Sequence, residues 1–226
     1  MENLFYTLAF LVFPYIALTV FALGHSYRYR SDIYHWNSKS SELVDRDNLK
    51  VGISIFHWGI IFTFFGHFFG LLTPQLALDR LGITAEIHDF MAIYTGMVFG
   101  AMALLGLLVL LRRRLIRPRV RSTSSINDVI LLTLLVFVVF MGTYNTYFNR
   151  FDVLSTIAPW IRSIVTFHPD PRLMIEVPWS YKIHILAALT LLGFSPFTRL
   201  VHIWSVPLTY FLRPYLSYRR RFADTI

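Results

Sequence analysis

Residues 51–72 read VGISIFHWGIIFTFFGHFFGLL. These 22 residues include no Asp, Glu, Lys or Arg, yet they carry two histidines, His57 and His67. A bilayer-spanning helix needs about 20 predominantly apolar residues. A chain inside lipid must also satisfy its own backbone hydrogen bonds, which a helix does. The stretch is therefore predicted to be a membrane-spanning helix with two ionisable side chains within the membrane.

Four other segments of the chain are comparably long and apolar. Together with residues 51–72 they predict five membrane-spanning helices: Leu4–Tyr27, Val51–Leu72, Phe90–Leu111, Val129–Phe148 and Trp179–Trp204. Pro14 and Pro196 interrupt the first and the fifth of these helices and are expected to bend them. The predicted fold class is an all-α membrane protein in which residues 1–226 form one membrane-spanning domain.

The composition excludes several classes of protein. Of the 226 residues, 55% are hydrophobic and 15% are charged, whereas a soluble domain carries roughly a quarter charged residues. The chain has no cysteine, so it holds no disulfide, thiolate metal site or iron–sulfur cluster of its own. Its net charge of +8 comes from basic residues that flank the apolar segments, so nucleic acid is not expected as a partner. The N-terminus lacks the basic start of a signal peptide, and we expect no cleaved segment.

The basic residues are distributed unevenly among the connections. Five of the 21 Lys and Arg residues lie between Arg28 and Lys50, six between Arg112 and Arg121, and five from Arg199 to the end. The connections between these three regions carry few Lys and Arg residues. Because positive loops stay in the cytoplasm, this pattern predicts an N-terminus outside and a C-terminus in the cytoplasm. The chain is thus expected to be a multi-pass protein of the cytoplasmic (inner) membrane.

The one long outer connection is Asn149–Pro178. Its stretch Phe151–Phe167 mixes apolar and polar residues. Two interpretations remain open: a short amphipathic helix at the interface, broken near Pro159, or an irregular ordered loop.

Four histidines fall inside predicted spans, where ionisable residues are costly and usually functional. His57 and His67 lie on the second span, and His184 and His202 on the fifth, which runs in the opposite direction. This places one histidine pair at each depth: His67 with His184 near the outer face, and His57 with His202 near the inner face.

Two histidines at one level on facing helices suit axial ligation of a haem iron. The spacing is imperfect, because ten residues of helix rise about 15 Å while the 18 residues from His184 to His202 rise about 27 Å. Gly59, Gly66 and Gly70 allow close approach of a flat macrocycle or of another helix. Arg199, one turn from His202, is a candidate partner for a haem propionate. The alternative for each histidine is an interhelical hydrogen bond.

The other histidines lie outside the predicted pairs. His88 precedes the third span near the level of His67, where it is positioned to bond a quinol headgroup or to accept its proton. The alternative is a helix-start residue that faces water. His25 and His35 are expected to be solvated at the inner interface, and His168 to make a structural hydrogen bond in the outer loop.

The residues resemble a known family, the gamma subunit (cytochrome b) of respiratory nitrate reductase. The similarity covers nearly the whole chain from Pro14-Tyr15-Ile16-Ala17 onward. The most specific stretches are Gly66-His67-Phe68-Phe69-Gly70-Leu71-Leu72-Thr73-Pro74, Pro118-Arg119-Val120-Arg121, Thr166-Phe167-His168 and Arg199-Leu200-Val201-His202-Ile203-Trp204-Ser205-Val206-Pro207. The spacings between the paired histidines match the family as well.

The resemblance implies two b haems, the outer one on His67 and His184 and the inner one on His57 and His202. It implies that quinol is oxidised near the outer haem, with His67 adjacent to the quinol site. Electrons would then reach an iron–sulfur (beta) subunit and a molybdenum-containing (alpha) subunit that reduces nitrate, with the basic inner loops and tail as the docking surface. Where familiar members carry a quinol-site lysine, this sequence has His88, which leaves the quinone preference in question.

Two other functions remain as alternatives. One is a dihaem cytochrome b subunit of a heterodisulfide- or sulfite-reductase-type complex, against which the run Arg199–Pro207 argues. The other is a haem-free proton-coupled transporter in which the histidines relay protons. A purely structural membrane anchor would leave the four intramembrane histidines unexplained.

Overall fold

The structure, a computed structural model, describes residues 2–31 and 49–204. Within these ranges every regular element is helical. The α-helices are α1 (Glu2–Thr7), α2 (Phe13–Ser31), α3 (Leu49–Leu72), α4 (Gln75–Arg80), α5 (Ala85–Ile116), α6 (Pro118–Ser122), α7 (Ile126–Phe148), α8 (Ile157–Val165) and α9 (Trp179–Phe194). The all-helical fold predicted from the sequence is thus observed throughout the described residues.

Four helical stretches are long and apolar enough to cross a membrane. They are Leu4–Ser31, Leu49–Leu72, Ala85–Ile116 and Ile126–Phe148, and they contain the first four predicted spans. Most of their large apolar side chains lie on the surface of the chain rather than in its interior. Such a surface suits lipid as the surrounding solvent. Lipid tails are as apolar as these side chains, so exposing the side chains to lipid costs no hydrophobic free energy.

The first span has an irregular turn beside its proline. Residues Leu8–Val12 form a π-helical turn between α1 and α2, and the Phe13 N–H donates to the carbonyl of Leu8. Pro14 lacks an N–H and crowds the preceding turn, which explains why the hydrogen-bonding pattern changes there. Helical structure continues through this turn without interruption, so that α1, the π-helical turn and α2 follow one another directly.

The predicted fifth helix, Trp179–Trp204, is wrong in its length. The α-helix ends at Phe194 after 16 residues, and two 3₁₀ segments follow, Ser195–Phe197 and Arg199–Ile203. Pro196 removes a helical N–H, and Thr198 adopts an extended backbone (φ −126°, ψ −176°). The Thr198 hydroxyl then accepts a bond from Leu200 N at 3.2 Å, which starts the second short segment. The proline therefore ends the α-helix instead of bending it.

The long helices pack in a sequence of neighbours, α3 on α5, α5 on α7, α7 on α9 and α9 on α2. The α3–α5 contact is the closest. A Cβ added at Gly59 would lie 2.8 Å from Ala103 Cα, and one added at Gly106 would lie 2.7 Å from Phe56 Cα. Glycine is therefore required for this backbone approach. Among the described residues, α3 and α9 share no comparable backbone contact.

The connection Asn149–Pro178, predicted to lie outside, contains a helix that packs into the interior of the protein. Ile157, Trp160 and Ile164 of α8 are buried, and the Trp160 indole donates to the Phe10 carbonyl at 2.9 Å. Pro159 lies in the first turn of α8, where its missing N–H has no helical partner to lose. Of the two interpretations left open for Phe151–Phe167, a helix is the one observed, but it continues through Pro159 without a break, and its apolar face covers protein.

Several predictions concern residues outside the described ranges. These are His35, Lys39, Arg46, the Ser205-Val206-Pro207 end of the quoted motif, and the tail arginines Arg213, Arg219, Arg220 and Arg221.

Candidate functional site

The four predicted histidines come together as two pairs. The ring centres of His67 and His184 are 6.4 Å apart, and those of His57 and His202 are 6.2 Å apart. In each pair one histidine comes from α3, and the other comes from α9 or from the 3₁₀ segment that follows it. Each pair thus lies between two elements that share no comparable backbone contact among the described residues.

Each of the four rings is oriented by a backbone carbonyl. The Nδ1–H of His57 donates to Ile53 O (2.8 Å), that of His67 to Thr63 O (2.8 Å), that of His184 to Val138 O (3.0 Å) and that of His202 to Arg199 O (2.7 Å). A carbonyl oxygen only accepts, so each Nδ1 carries the proton and each Nε2 keeps its lone pair. This is the tautomer that a metal ligand requires, held by the kind of bond that usually supports ligating histidines. The sequence alone did not indicate these carbonyl partners.

The spacing within each pair fits one metal ion between the two rings. An imidazole nitrogen binds a first-row transition metal at about 2 Å and lies about 1 Å from its ring centre, so opposed ligands have ring centres roughly 6 Å apart. Both observed spacings agree with this value. Two imidazole nitrogens would leave the other coordination positions of such an ion to a further ligand, which haem would supply. The residues therefore fit the predicted cofactor.

The glycines near the pairs have different surroundings. A Cβ at Gly142 on α7 would lie 2.9 Å from His184 Cε1, so the ring occupies the space a side chain would need. A Cβ at Gly66 would meet nothing within 4 Å, which leaves open space beside His67. Gly59, in contrast, packs against the backbone of α5, so its role is helix packing rather than approach to a macrocycle.

Arg199 joins its short segment to the start of α7. Its Nε and Nη2 bond the two carboxylate oxygens of Asp128, with an Nη2···Oδ2 distance of 2.7 Å. Arg114 approaches the same carboxylate at 3.3 Å and bonds Ser124 Oγ at 2.9 Å. Asp128 is only 7% exposed. The prediction that Arg199 contacts a propionate stays a prediction, and Asp128 is the partner observed in the chain itself.

His88 lies in the first turn of α5, next to Gly70 of α3. Its Nδ1 is 3.4 Å from Gln75 Oε1, and its Nε2 would be 3.2 Å from a Cβ at Gly70, three residues after His67. The Gln75 amide is in turn held by Asp79 Oδ1 at 2.8 Å and by Ile83 O at 3.1 Å. This chain of bonds favours the tautomer in which Nε2 of His88 is the acceptor.

The remaining described histidines differ from each other. His25 was expected to be solvated, and this is wrong: it is 8% exposed, and its Nε2 lies 3.2 Å from Ser195 Oγ, against the segment that replaces the end of the fifth helix. His168 is exposed in the outer loop and donates to Thr166 O at 2.7 Å, as expected of a structural histidine.

Three buried polar residues were missed by the sequence reasoning. Asp128 could have been noticed as the third helical residue of a capping box whose N-cap is Ser125. Lys182 is 2% exposed and donates to Tyr6 Oη and Ile175 O. Asn145 is 3% exposed, and neither atom of its amide has a partner among the described residues. No sequence signal distinguishes Lys182 and Asn145 from ordinary polar residues at a helix end.

The fold and the site define a class: a multi-pass helical membrane protein with two opposed histidine pairs between its helices. Comparison with known proteins identifies the family. The sequence model described as "Nitrate reductase gamma subunit" matches residues 6–221, and the chain belongs to this family. The resemblance inferred from the residues is thereby confirmed.

Curated relatives agree with this assignment. The nitrate reductase gamma chain of Bacillus subtilis (strain 168) is 42% identical over 214 residues, which cover 93% of this chain and 96% of the relative. The respiratory nitrate reductase 1 gamma chain of Escherichia coli (strain K12) is 36% identical over 97% of this chain and 98% of its own. The respiratory nitrate reductase 2 gamma chain of the same strain is 35% identical over 93% and 95%. As a gamma chain, the protein is part of an oxidoreductase complex with other subunits.

Proposed function

We propose that the chain is a dihaem cytochrome b that oxidises quinol near the outer face of the membrane. Two b haems would be held at the two histidine pairs, and each, when bound, carries one electron at a time from quinol toward the cytoplasmic side. The observation that supports this most directly is the pair of ring separations, 6.4 Å and 6.2 Å, with every Nδ1 bonded to a carbonyl.

The axial ligands would be His67 and His184 for the outer haem, and His57 and His202 for the inner haem. His57 and His67 are ten residues apart on one helix, so the two sites are separated by about 15 Å along its axis. This separation suits two cofactors at different depths of a bilayer whose apolar core is about 30 Å thick. The open space at Gly66 lies next to the outer site.

The proposal includes five membrane crossings, with the N-terminus outside. Helix α9 and the two 3₁₀ segments together would make the fifth crossing, from Trp179 to Trp204. The 16 residues of α9 rise about 24 Å, which is most of the apolar thickness of a bilayer, and the two 3₁₀ segments follow at the end of this helix. The basic residues of α5 and α6 would then face the cytoplasm, in agreement with the positive-inside rule.

Quinol would bind beside His67, at the junction of α3 and α5. His88 presents an acceptor Nε2 there, and Gln75 fixes the orientation of the ring. The imidazole would accept a proton from the quinol hydroxyl as the electrons leave, which is the role of a general base.

The partners would be an iron–sulfur beta subunit and a molybdenum-containing alpha subunit. The docking surface would include four exposed arginines at the end of α5 and in α6: Arg112, Arg117, Arg119 and Arg121. Exposed arginines of one sign attract an acidic partner surface and speed its association. Quinol itself would enter from the surrounding lipid.

The test is a haem count combined with single-ligand variants. The purified complex should contain two b haems per gamma chain, measured by pyridine haemochrome and by a reduced-minus-oxidised spectrum. His67→Ala or His184→Ala should remove one haem and abolish quinol-linked nitrate reduction, while His168→Ala should keep both haems. A complex without a b-haem absorbance band, or two full b haems in His184→Ala, would refute the proposed ligation.

A further inference from the structure

The 3₁₀ segment that carries His202 has few internal supports. Its five residues, Arg199–Ile203, follow an extended Thr198 and lie beyond the end of α9. A 3₁₀ helix has poorer hydrogen-bond geometry than an α-helix and is stable only in short pieces. The position of His202 therefore depends on contacts that this segment makes with the rest of the bundle.

The strongest such contact is the ion pair of Arg199 with Asp128. The guanidinium bonds both carboxylate oxygens, which fixes its orientation as well as its position. Asp128 is itself fixed, because its Oδ2 accepts from Ser125 N at 3.0 Å in a capping box at the start of α7. The backbone carbonyl of Arg199 accepts the Nδ1–H of His202 at 2.7 Å. One residue thus links the carboxylate to the imidazole.

The charges at this site are unequal. Arg114 and Arg199 both contact Asp128, so one carboxylate faces two guanidinium groups. Their side chains are 17% and 24% exposed, and that of Asp128 is 7% exposed, so water screens the group weakly. Removal of the carboxylate charge would leave two positive charges in a site of low dielectric constant.

We propose that Asp128 is a positioning residue for His202: through Arg199 it holds the 3₁₀ segment, and its charge offsets the two arginines beside the His57–His202 pair. This inference rests on the proposed ligation of a haem by that pair. A positive charge near a haem favours the reduced form, because reduction lowers the charge on iron. Loss of the carboxylate charge therefore raises the reduction potential at this pair, and loss of the arginine charge lowers it.

The experiment is a spectroelectrochemical titration of both b haems in the whole complex. Asp128→Asn is compared with Arg199→Gln, with Asp128→Glu as the conservative variant. Asp152→Asn is the matched control, because Asp152 is an exposed aspartate in the outer connection that also accepts backbone bonds. The haem at the His57–His202 pair is identified as the one missing from His57→Ala.

The expected result has opposite signs in the two variants. Asp128→Asn raises the midpoint potential of the inner haem, Arg199→Gln lowers it, and the haem at His67–His184 changes little in either. Asp128→Glu and Asp152→Asn stay near the wild-type values. A residue that only stabilised the fold would not give shifts of opposite sign confined to one haem.

Other outcomes separate the inference from the proposed function. Unchanged potentials in Asp128→Asn and Arg199→Gln, with both haems present, overturn the role of Asp128 and leave the proposed function intact. A wild-type complex without b haem overturns the proposed function itself. If Asp128→Asn does not assemble, Arg199→Gln decides, because a lowered potential supports the inference and an unchanged one refutes it.

Discussion

At the scale of single residues, the histidines combine what the sequence predicted with what it could not. Their number, their place in apolar segments and their pairing by depth were visible in the sequence, because charged or ionisable residues stand out against an apolar background. The carbonyl partners of the four rings were not, because a backbone carbonyl is present at every position. The ion pair of Arg199 with Asp128 joins residues 71 positions apart, and no sequence period relates them.

His88 provides the first prediction at this scale. His88→Ala is expected to slow quinol oxidation on the order of 10²-fold, the usual effect of losing a general base, while both haems remain. Nitrate reduction with quinol as donor measures the effect, and the redox-difference spectrum measures the haems. His168→Ala is the matched control, because that histidine is exposed in the outer loop. Unchanged turnover in His88→Ala would remove this residue from the quinol site.

Gly142 gives a second prediction. Alanine at this position would place a Cβ 2.9 Å from His184 Cε1, inside normal contact distance, so the imidazole of His184 must shift from its present position. We expect Gly142→Ala to shift the absorbance band or lower the occupancy of the outer haem only. Gly193→Ala serves as the control, because a Cβ there meets Ala17 Cα at an ordinary 3.5 Å. Wild-type spectra in both variants would contradict this prediction.

At the scale of helices, the end of α9 at Phe194 explains the spacing that the sequence left unresolved. Phe194 is ten residues after His184, which is the same interval as that between His57 and His67 on α3. The remaining residues up to His202 run in short segments with an extended Thr198 and need not continue the rise of the helix. Pro196 marked the place in the sequence, but whether a proline bends or ends a helix depends on tertiary contacts. Here the pyrrolidine ring of Pro196 packs against Gly24 of α2, and α9 ends two residues before this proline.

The contact of α3 with α5 leads to a prediction about stability. Gly106→Ala places a Cβ against the backbone of Phe56, which cannot yield as a flexible side chain does. Overpacking of this kind destabilises by about 1–3 kcal/mol. Thermal unfolding of the purified complex in detergent should show a lower midpoint for Gly106→Ala than for Gly193→Ala. Equal unfolding midpoints of the two variants would contradict the requirement for glycine at the contact between α3 and α5.

At the scale of the whole molecule, the topology depends on features that the sequence expresses well. Apolar length predicted the first four spans, and the asymmetry of basic residues predicts their direction. The interior position of α8 was less accessible, because an amphipathic helix covers protein or lipid with the same pattern. Its burial becomes clear only from partners far along the chain, such as Phe10 for Trp160 and Leu71 for Arg162.

The chain has no cysteine, so its orientation can be tested by single introduced thiols. Ser155→Cys lies in the outer connection and Ser122→Cys in α6, and both serines are exposed. A membrane-impermeant maleimide should label Ser155→Cys in intact cells, but should label Ser122→Cys only after the membrane is opened. Equal labelling of both positions, or the reverse order, would contradict the predicted orientation. The unmodified chain, which has no cysteine, is the control for background labelling.

The distance between α3 and α9 has a consequence for biogenesis. Under the proposed ligation, each haem would join α3 to α9 or to the segment that follows it, two elements that share no comparable backbone contact among the described residues. A ligand that binds the folded state stabilises it by mass action. Under the proposed ligation, the stability of this chain would therefore depend on tetrapyrrole supply, and cells starved of tetrapyrrole are expected to contain less of it.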